Sequence, residues 1–268
     1  MGGQGALERL PARWRTDRLL LGDRSRWRVV DVRGDDKSVV VAVEREGRAT
    51  LLGRGDAGGV ARLVDALAAD PGAADLVGAV TWLSHPRGAQ PSAAALTALA
   101  LEPVSAWDWM VTGWAPGVLD GEADVVRLDP DADAEAIRAC LAQANPGTSA
   151  DPSHRGEAGW WGVGTSAELV GVVGAAVRAG DPGGRDTSWH LHGLGVLPRA
   201  RGAGLGAALT AAATRAGLRD GAEWVSLGLY ASNGVARRVY ERLGFATEAC
   251  MASYGPAVTT GSEAGPHH

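Results

Sequence analysis

Phenylalanine and lysine each occur once in 268 residues, tyrosine three times and cysteine twice. Cys140 and Cys250 are too few and too unpatterned for a disulfide framework or a zinc site, so a reducing, cytoplasmic setting is expected and no metal. No apolar run approaches the roughly 18 to 20 residues of a membrane span, the longest lying at 169–177, and the first residues show no charged-then-apolar leader. The myristoylation pattern fails at Ala6. A net charge of −5 and an isoelectric point near 5.7 leave the chain without the basic face of a nucleic-acid binder. Arg9, Arg13, Arg15, Arg18, Arg24, Arg26 and Arg28 are a local exception and read as a solvated surface. The expected picture is a soluble monomer or homodimer that engages neither membrane nor nucleic acid.

What is present is 46% apolar residues, enough for two ordinary cores, and ten tryptophans. From position 27, "WRVVDV", "SVVVAVE" and "ATLLG" read as a β-meander broken by Gly and Asp clusters. A helix over 60–69, a strand "LVGAVTWL", a helix "PSAAALTALAL" and a strand "AWDWMVTGW" follow. The segment 115–124 breaks both periodicities and marks a boundary. Beyond it come a strand "DVVRLDP", a helix "DADAEAIRACLAQAN", two strands joined by a turn at 166–168, and the strand "TSWHLHGLGV", which Pro198 ends. A helix from Gly204, a strand "WVSLGLY", a helix "NGVARRVYERL" stopped by Gly244 and a last strand complete the pattern. The segment "TWLSHPRGAQPSAAALTALALEP" overlays "WVSLGLYASNGVARRVYERLGF", which indicates a diverged internal repeat. The expected fold class is therefore α/β (α+β): two tandem domains at 1–122 and 123–256, each a mixed central sheet flanked by helices, and a disordered tail at 257–268.

The chemistry concentrates in "HLHGLGVLPRARGAGLG". Glycines without a Cβ let successive backbone N–H groups converge, and a helix beginning there adds its unsatisfied donors and its dipole, so Arg201 to Gly206 read as a pyrophosphate cradle. A triphosphatase loop would need Lys and Ser or Thr where Ala207 and Ala208 stand, and a Rossmann loop would need its third glycine one position later. Glycines that merely allow tight strand-to-helix packing are the competing reading. Downstream, Asn233 and Tyr240 are seven apart, almost two helical turns, so both are expected on one face with the small Ala236 between them. On the strand, His190 and His192 point to one face, and an imidazole can accept a proton near neutrality. A paired-histidine metal site would lack a third ligand. Trp160 and Trp161 are adjacent on a strand, so only one is expected to face the core while its neighbour meets a substrate or the other domain.

In combination, "VLPRARGAGLG" and "YASNGVARRVYERLGF" resemble the GNAT superfamily of acyl-CoA-dependent N-acyltransferases over about residues 124–254. The resemblance implies acetyl-CoA (coenzyme A) as the cofactor, its pyrophosphate held by backbone N–H groups of Arg201, Gly202, Ala203, Gly204, Leu205 and Gly206. It implies a pantetheine arm lying against the backbone near Val196, on a strand that splays from its neighbour. Asn233 matches a cofactor-bonding position, and Tyr240 matches the tyrosine that protonates the departing thiolate. "HLHGLGV" resembles the paired-histidine strand of the arylalkylamine N-acetyltransferases, which implies that His190 or His192 takes the amine proton. In the first half, "RGDAGG" would set Asp56 beside a phosphate, and Ala98 stands at the position of Tyr240, so that half is expected to be degenerate. The implied activity is acetyl transfer to a small-molecule primary amine by direct attack on the thioester. A non-catalytic acyl-CoA sensor and a protein-amine acetyltransferase are the alternatives.

Overall fold

The computed structural model describes residues 7–45, 47–165 and 168–257. The expected turn at 166–168 and the expected tail at 257–268 fall almost wholly outside them. Among the described residues, unit 1 holds 7–108, 230–232 and 249–257, and unit 2 holds 109–229 and 233–248.

In unit 1, β1 (Arg28–Gly34), β2 (Ser38–Arg45) and β3 (Arg48–Gly55) form the antiparallel meander. The chain then crosses through α2 (Ala57–Ala68), which follows the short N-terminal α1 (Arg18–Gly22) in order, to β4 (Val80–Pro86), parallel to β3. The continuous apolar run of β2 is explained by burial on both faces. Val40 and Ala42 pack with Val60, Val64 and Leu67 of α2, while Val39, Val41 and Val43 pack with Leu10, Trp14 and Leu20. The strand expected from Leu76 begins later. Asp70 caps a tight turn at Pro71–Ala73, which leads into α3 (Ala74–Ala79), so "LVGA" is helical and the strand starts at Val80. A six-residue helix, α4 (Ala93–Ala98), is capped by the Ser92 side chain, and Ala100 at φ 54 turns the chain out of it into β5 (Leu101–Thr112). The N-terminal arginines are surface groups tied to backbone: Arg9 donates to the carbonyls of Val29 and Val30, and Arg15 to those of Leu10 and Glu8.

Unit 2 repeats the order. After β6 (Val125–Leu128) and α5 (Ala134–Ala144), the strands β7 (Glu157–Thr165), β8 (Glu168–Ala179) and β9 (Thr187–Val196) run antiparallel. The crossover α6 (Leu205–Arg219) leads to β10 (Val225–Tyr230), parallel to β9, and α7 (Gly234–Arg242) follows. Then β11 (Ala246–Pro256) returns to unit 1, where Met251 to Tyr254 pair antiparallel with Pro86 to Leu83 of β4. Its seat is polar as well as apolar: Ser253 Oγ accepts from Trp107 Nε1 at 2.8 Å and meets Ser84 Oγ at 2.8 Å.

Trp160 and Trp161 correct one expectation. Both are buried, on opposite faces, because α5 covers one side of the unit 2 sheet and α6 with α7 cover the other. Trp160 packs with Ile137, Cys140 and Leu141, and Trp161 with Val163, Val173 and Trp189. Segment 115–124 belongs to unit 2, where Arg215 donates to the carbonyls of Pro116 and Gly117 and pairs with Glu122. Among the described residues, no helix is long and apolar enough to cross a membrane, and no group of three ligating side chains could hold a metal.

Candidate active site

The parallel pairing of β9 with β10 covers three residue pairs, Trp189 with Val225, His190 with Ser226 and Leu191 with Leu227, and then ends. Both strands continue, β9 to Val196 and β10 to Tyr230, so a wedge opens between them. At the same point β9 bulges: from His192 to Gly195 it advances three residues while β8 advances two, from Gly174 to Val172. Gly193 sits in the bulge at φ 60, and a Cβ there would lie 2.8 Å from Ala150 Cβ, so the bulge requires glycine. The wall that crowds it is the loop after α5. There Asp151 accepts a two-pronged bond from Arg138 at 2.6 and 2.8 Å, which holds its carboxyl well below the usual range.

Below the wedge, a tight turn at Pro198–Ala200 leads to Gly202 at φ 86 and Gly204 at φ 78. A Cβ on either would meet nothing within 4 Å. Packing therefore does not demand these glycines, whereas the left-handed backbone does. Gly204 caps α6 without any side-chain bond, so the first N–H groups of the helix are left for solvent or a ligand. Arg201 and Ala203 lie exposed in this loop, with Leu205 and Gly206 half-buried at the helix start. The Arg201 side chain turns back, Nε donating to Val196 O at 3.0 Å and a terminal nitrogen to Ala144 O at 3.2 Å, which pins the loop to the end of β9.

Asn233 and Tyr240 differ in burial. Asn233 precedes α7 and is exposed; its Oδ1 accepts from the Ala236 N–H at 3.0 Å as an N-cap. Both hydrogens of its amide nitrogen remain for another partner. Tyr240 is buried against Phe245, and burial pushes its phenol up to about 12. Asn233 is thus the N-cap of α7, and Tyr240 lies in its last turn.

The histidines lean apart. His190 is 8% exposed, and its Nδ1 lies 2.9 Å from Ser226 Oγ, on the β10 side. The same Ser226 hydroxyl lies 3.3 Å from the Trp189 carbonyl oxygen. His192 Nε2 lies 3.1 Å from Glu157 Oε2, on the β7 side, and the Trp160 ring meets the imidazole edge-on at 5.3 Å. Sequence reasoning misses the Glu157 carboxylate. It stands 35 positions from His192 at the start of β7, and only the β7–β8–β9 register unites them.

A wedge between parallel strands, a bulge at its mouth and an uncapped glycine turn at a helix start thus meet at the end of β9. In the comparisons, residues 129–245 match the acetyltransferase (GNAT) family. A search of curated proteins finds no match to the chain. Among solved structures, a GCN5-related N-acetyltransferase from Kribbella flavida is similar at 19% identity and TM-score 0.58, covering 93% of this chain and 97% of its own. A GNAT-family acetyltransferase from Novosphingobium aromaticivorans is similar at 21% identity and TM-score 0.53, covering 94% and 99%. Another from Colwellia psychrerythraea is similar at 12% identity and TM-score 0.51, covering 81% and 80%. At these identities the likeness concerns the fold, and it spans both units: two tandem GNAT-like halves.

Proposed function

We propose that the chain is an acetyl-CoA-dependent N-acetyltransferase acting on a primary amine of a small molecule in the cytoplasm. In this reading residues 123–256 carry the activity and residues 1–122 are degenerate. The observation that carries this is the bare start of α6 beside the parted strands: the open space at Gly202 and Gly204 and the uncapped N-terminus suit a diphosphate. Backbone N–H groups from Arg201 to Gly206 would hold it, the β9 backbone near Val196 would face the extended arm, and the Asn233 amide nitrogen would donate to it. The bound cofactor supplies an activated acyl thioester.

The residues of the chain then divide the proton traffic. As the neutral amine attacks the acyl carbon, a histidine of the pair takes the nitrogen's proton while the C–N bond forms. The C–S bond breaks with the sulfur taking the electron pair, and Tyr240 returns a proton to it. A phenol shifted upward stays protonated across the neutral range, as a donor must. The products are an N-acyl amine and a free thiol.

The test joins calorimetry to turnover. One coenzyme A is expected per chain, together with amine-dependent thiol release from acetyl-CoA. Two sites per chain, or none, would refute the assignment. Binding without turnover on any amine would identify a sensor, and turnover confined to protein lysines or N-termini would identify a protein acetyltransferase.

A further inference from the structure

Resting on the transferase reading of unit 2, we propose that Glu157 is a positioning residue that makes His192 the group that takes the amine proton. Its side chain is 9% exposed and lies against His192 Nε2, at 3.1 Å. As an acceptor, the carboxylate takes Nε2–H and fixes the tautomer, leaving the lone pair on Nδ1. Two further contacts hold the ring. A Cβ on Gly174 would come within 2.6 Å of His192 Cε1, so the imidazole occupies the place a side chain on β8 would need, and Trp160 closes its edge at 5.3 Å.

His190 is held differently. Its Nδ1 lies 2.9 Å from Ser226 Oγ on β10, and that hydroxyl also reaches the Trp189 carbonyl at 3.3 Å. When an imidazole takes a proton, a carboxylate on its far nitrogen, as Glu157 lies on His192, stabilises the positive charge that forms. His192 also keeps 14% of its side chain exposed, and it directly precedes the Gly193 bulge at the mouth of the wedge. The proton leaves the amine nitrogen as the C–N bond forms and arrives on His192 Nδ1; Glu157 gains no proton.

The experiment uses the full chain in two arms. With histidine labelled by nitrogen-15, His192 is expected to show a protonated Nε2 and an unprotonated Nδ1, with the Nε2 proton at low field moving upfield in E157Q. With acetyl-CoA and a panel of 2-phenylethylamine, spermidine and lysine amide, E157Q is expected to lower kcat roughly 10- to 100-fold with KM for acetyl-CoA unchanged. The E157Q/H192Q pair should be no slower than H192Q alone, since the two side chains act as one unit, and H190Q should lose less than H192Q. Coenzyme A affinity reports folding, and if E157Q fails that check, E157D, with its carboxylate on a shorter arm, should keep an intermediate rate. A wild-type kcat in E157Q, an Nδ1-protonated His192 or additive losses would overturn the proposal. Absence of amine-dependent thiol release in the wild type would instead remove the transferase reading on which it rests.

Discussion

The two crossover helices follow equivalent parallel strands and start from opposite chemistry. At the head of α2, Asp56 turns its own Oδ2 onto the Gly59 N–H at 2.7 Å, so a carboxylate sits where an anion would have to bind. At the head of α6, Gly204 offers no side chain and the donors stay uncommitted. The glycines differ too. A Cβ on Gly59 would run into Ser38 Oγ, so that glycine serves close packing, while Gly202 and Gly204 face open space. Beside α2, a Cβ on Gly53 would come within 2.5 Å of Val60 and 3.2 Å of the buried His85, whereas β9 and β10 part. In the proposed reading, the Asp56 self-cap keeps the helix stable while leaving no place for an anion at its start.

The contrast can be broken from either side. The largest effect is expected at the proton donor that unit 1 lacks: Tyr240→Phe keeps the ring against Phe245 and deletes the hydroxyl, so kcat should fall by roughly 10² to 10⁴ with coenzyme A affinity retained. Steady-state kinetics beside calorimetry separates these. Next, Gly204→Asp gives α6 the self-cap of α2; Asp tolerates the left-handed backbone, so the fold should stand while coenzyme A affinity drops at least about 100-fold, since an anion must displace a carboxylate. Unchanged affinity would show that the donors at α6 are not the cradle.

The reverse change is smaller. Asp56→Ala should cost about 1 kcal/mol of stability in a denaturant titration, the ordinary worth of such a cap, and should not create a second coenzyme A site. Two sites by calorimetry would mean that Asp56 alone silences the first half. The smallest effect is on alkaline stability. The folded Tyr240 phenol is shifted to about 12, above its unfolded value near 10, so its neutral form contributes stability in full below about pH 10. That contribution is lost as pH rises to about 12, and melting curves of wild type and Tyr240→Phe should converge or cross over this interval.

Much of the architecture is legible in the chain itself. The β-meander, the parallel crossovers and the glycine turn before α6 follow from local rules, since alternation, apolar runs and backbone conformation depend on neighbours in sequence. Local rules fail where neighbours in space decide. "LVGA" reads as strand because its residues are apolar, but the Asp70 cap and the unit 1 core make it helical. Trp160 and Trp161 alternate as expected, yet covering both sheet faces buries them together.

The fold class and the glycine turn that enters α6 are written in the order of residues, because such a turn specifies its own backbone. How the side chains of the site divide is settled by tertiary packing. His190 and His192 share a strand face, but one meets Ser226 from β10 and the other Glu157 from β7, 35 positions away in sequence. Packing also returns β11 to unit 1, where Ser253 meets Trp107 and Ser84. Strand register sets which side chains become partners, and register is fixed by the packing of whole sheets rather than by any single stretch of chain.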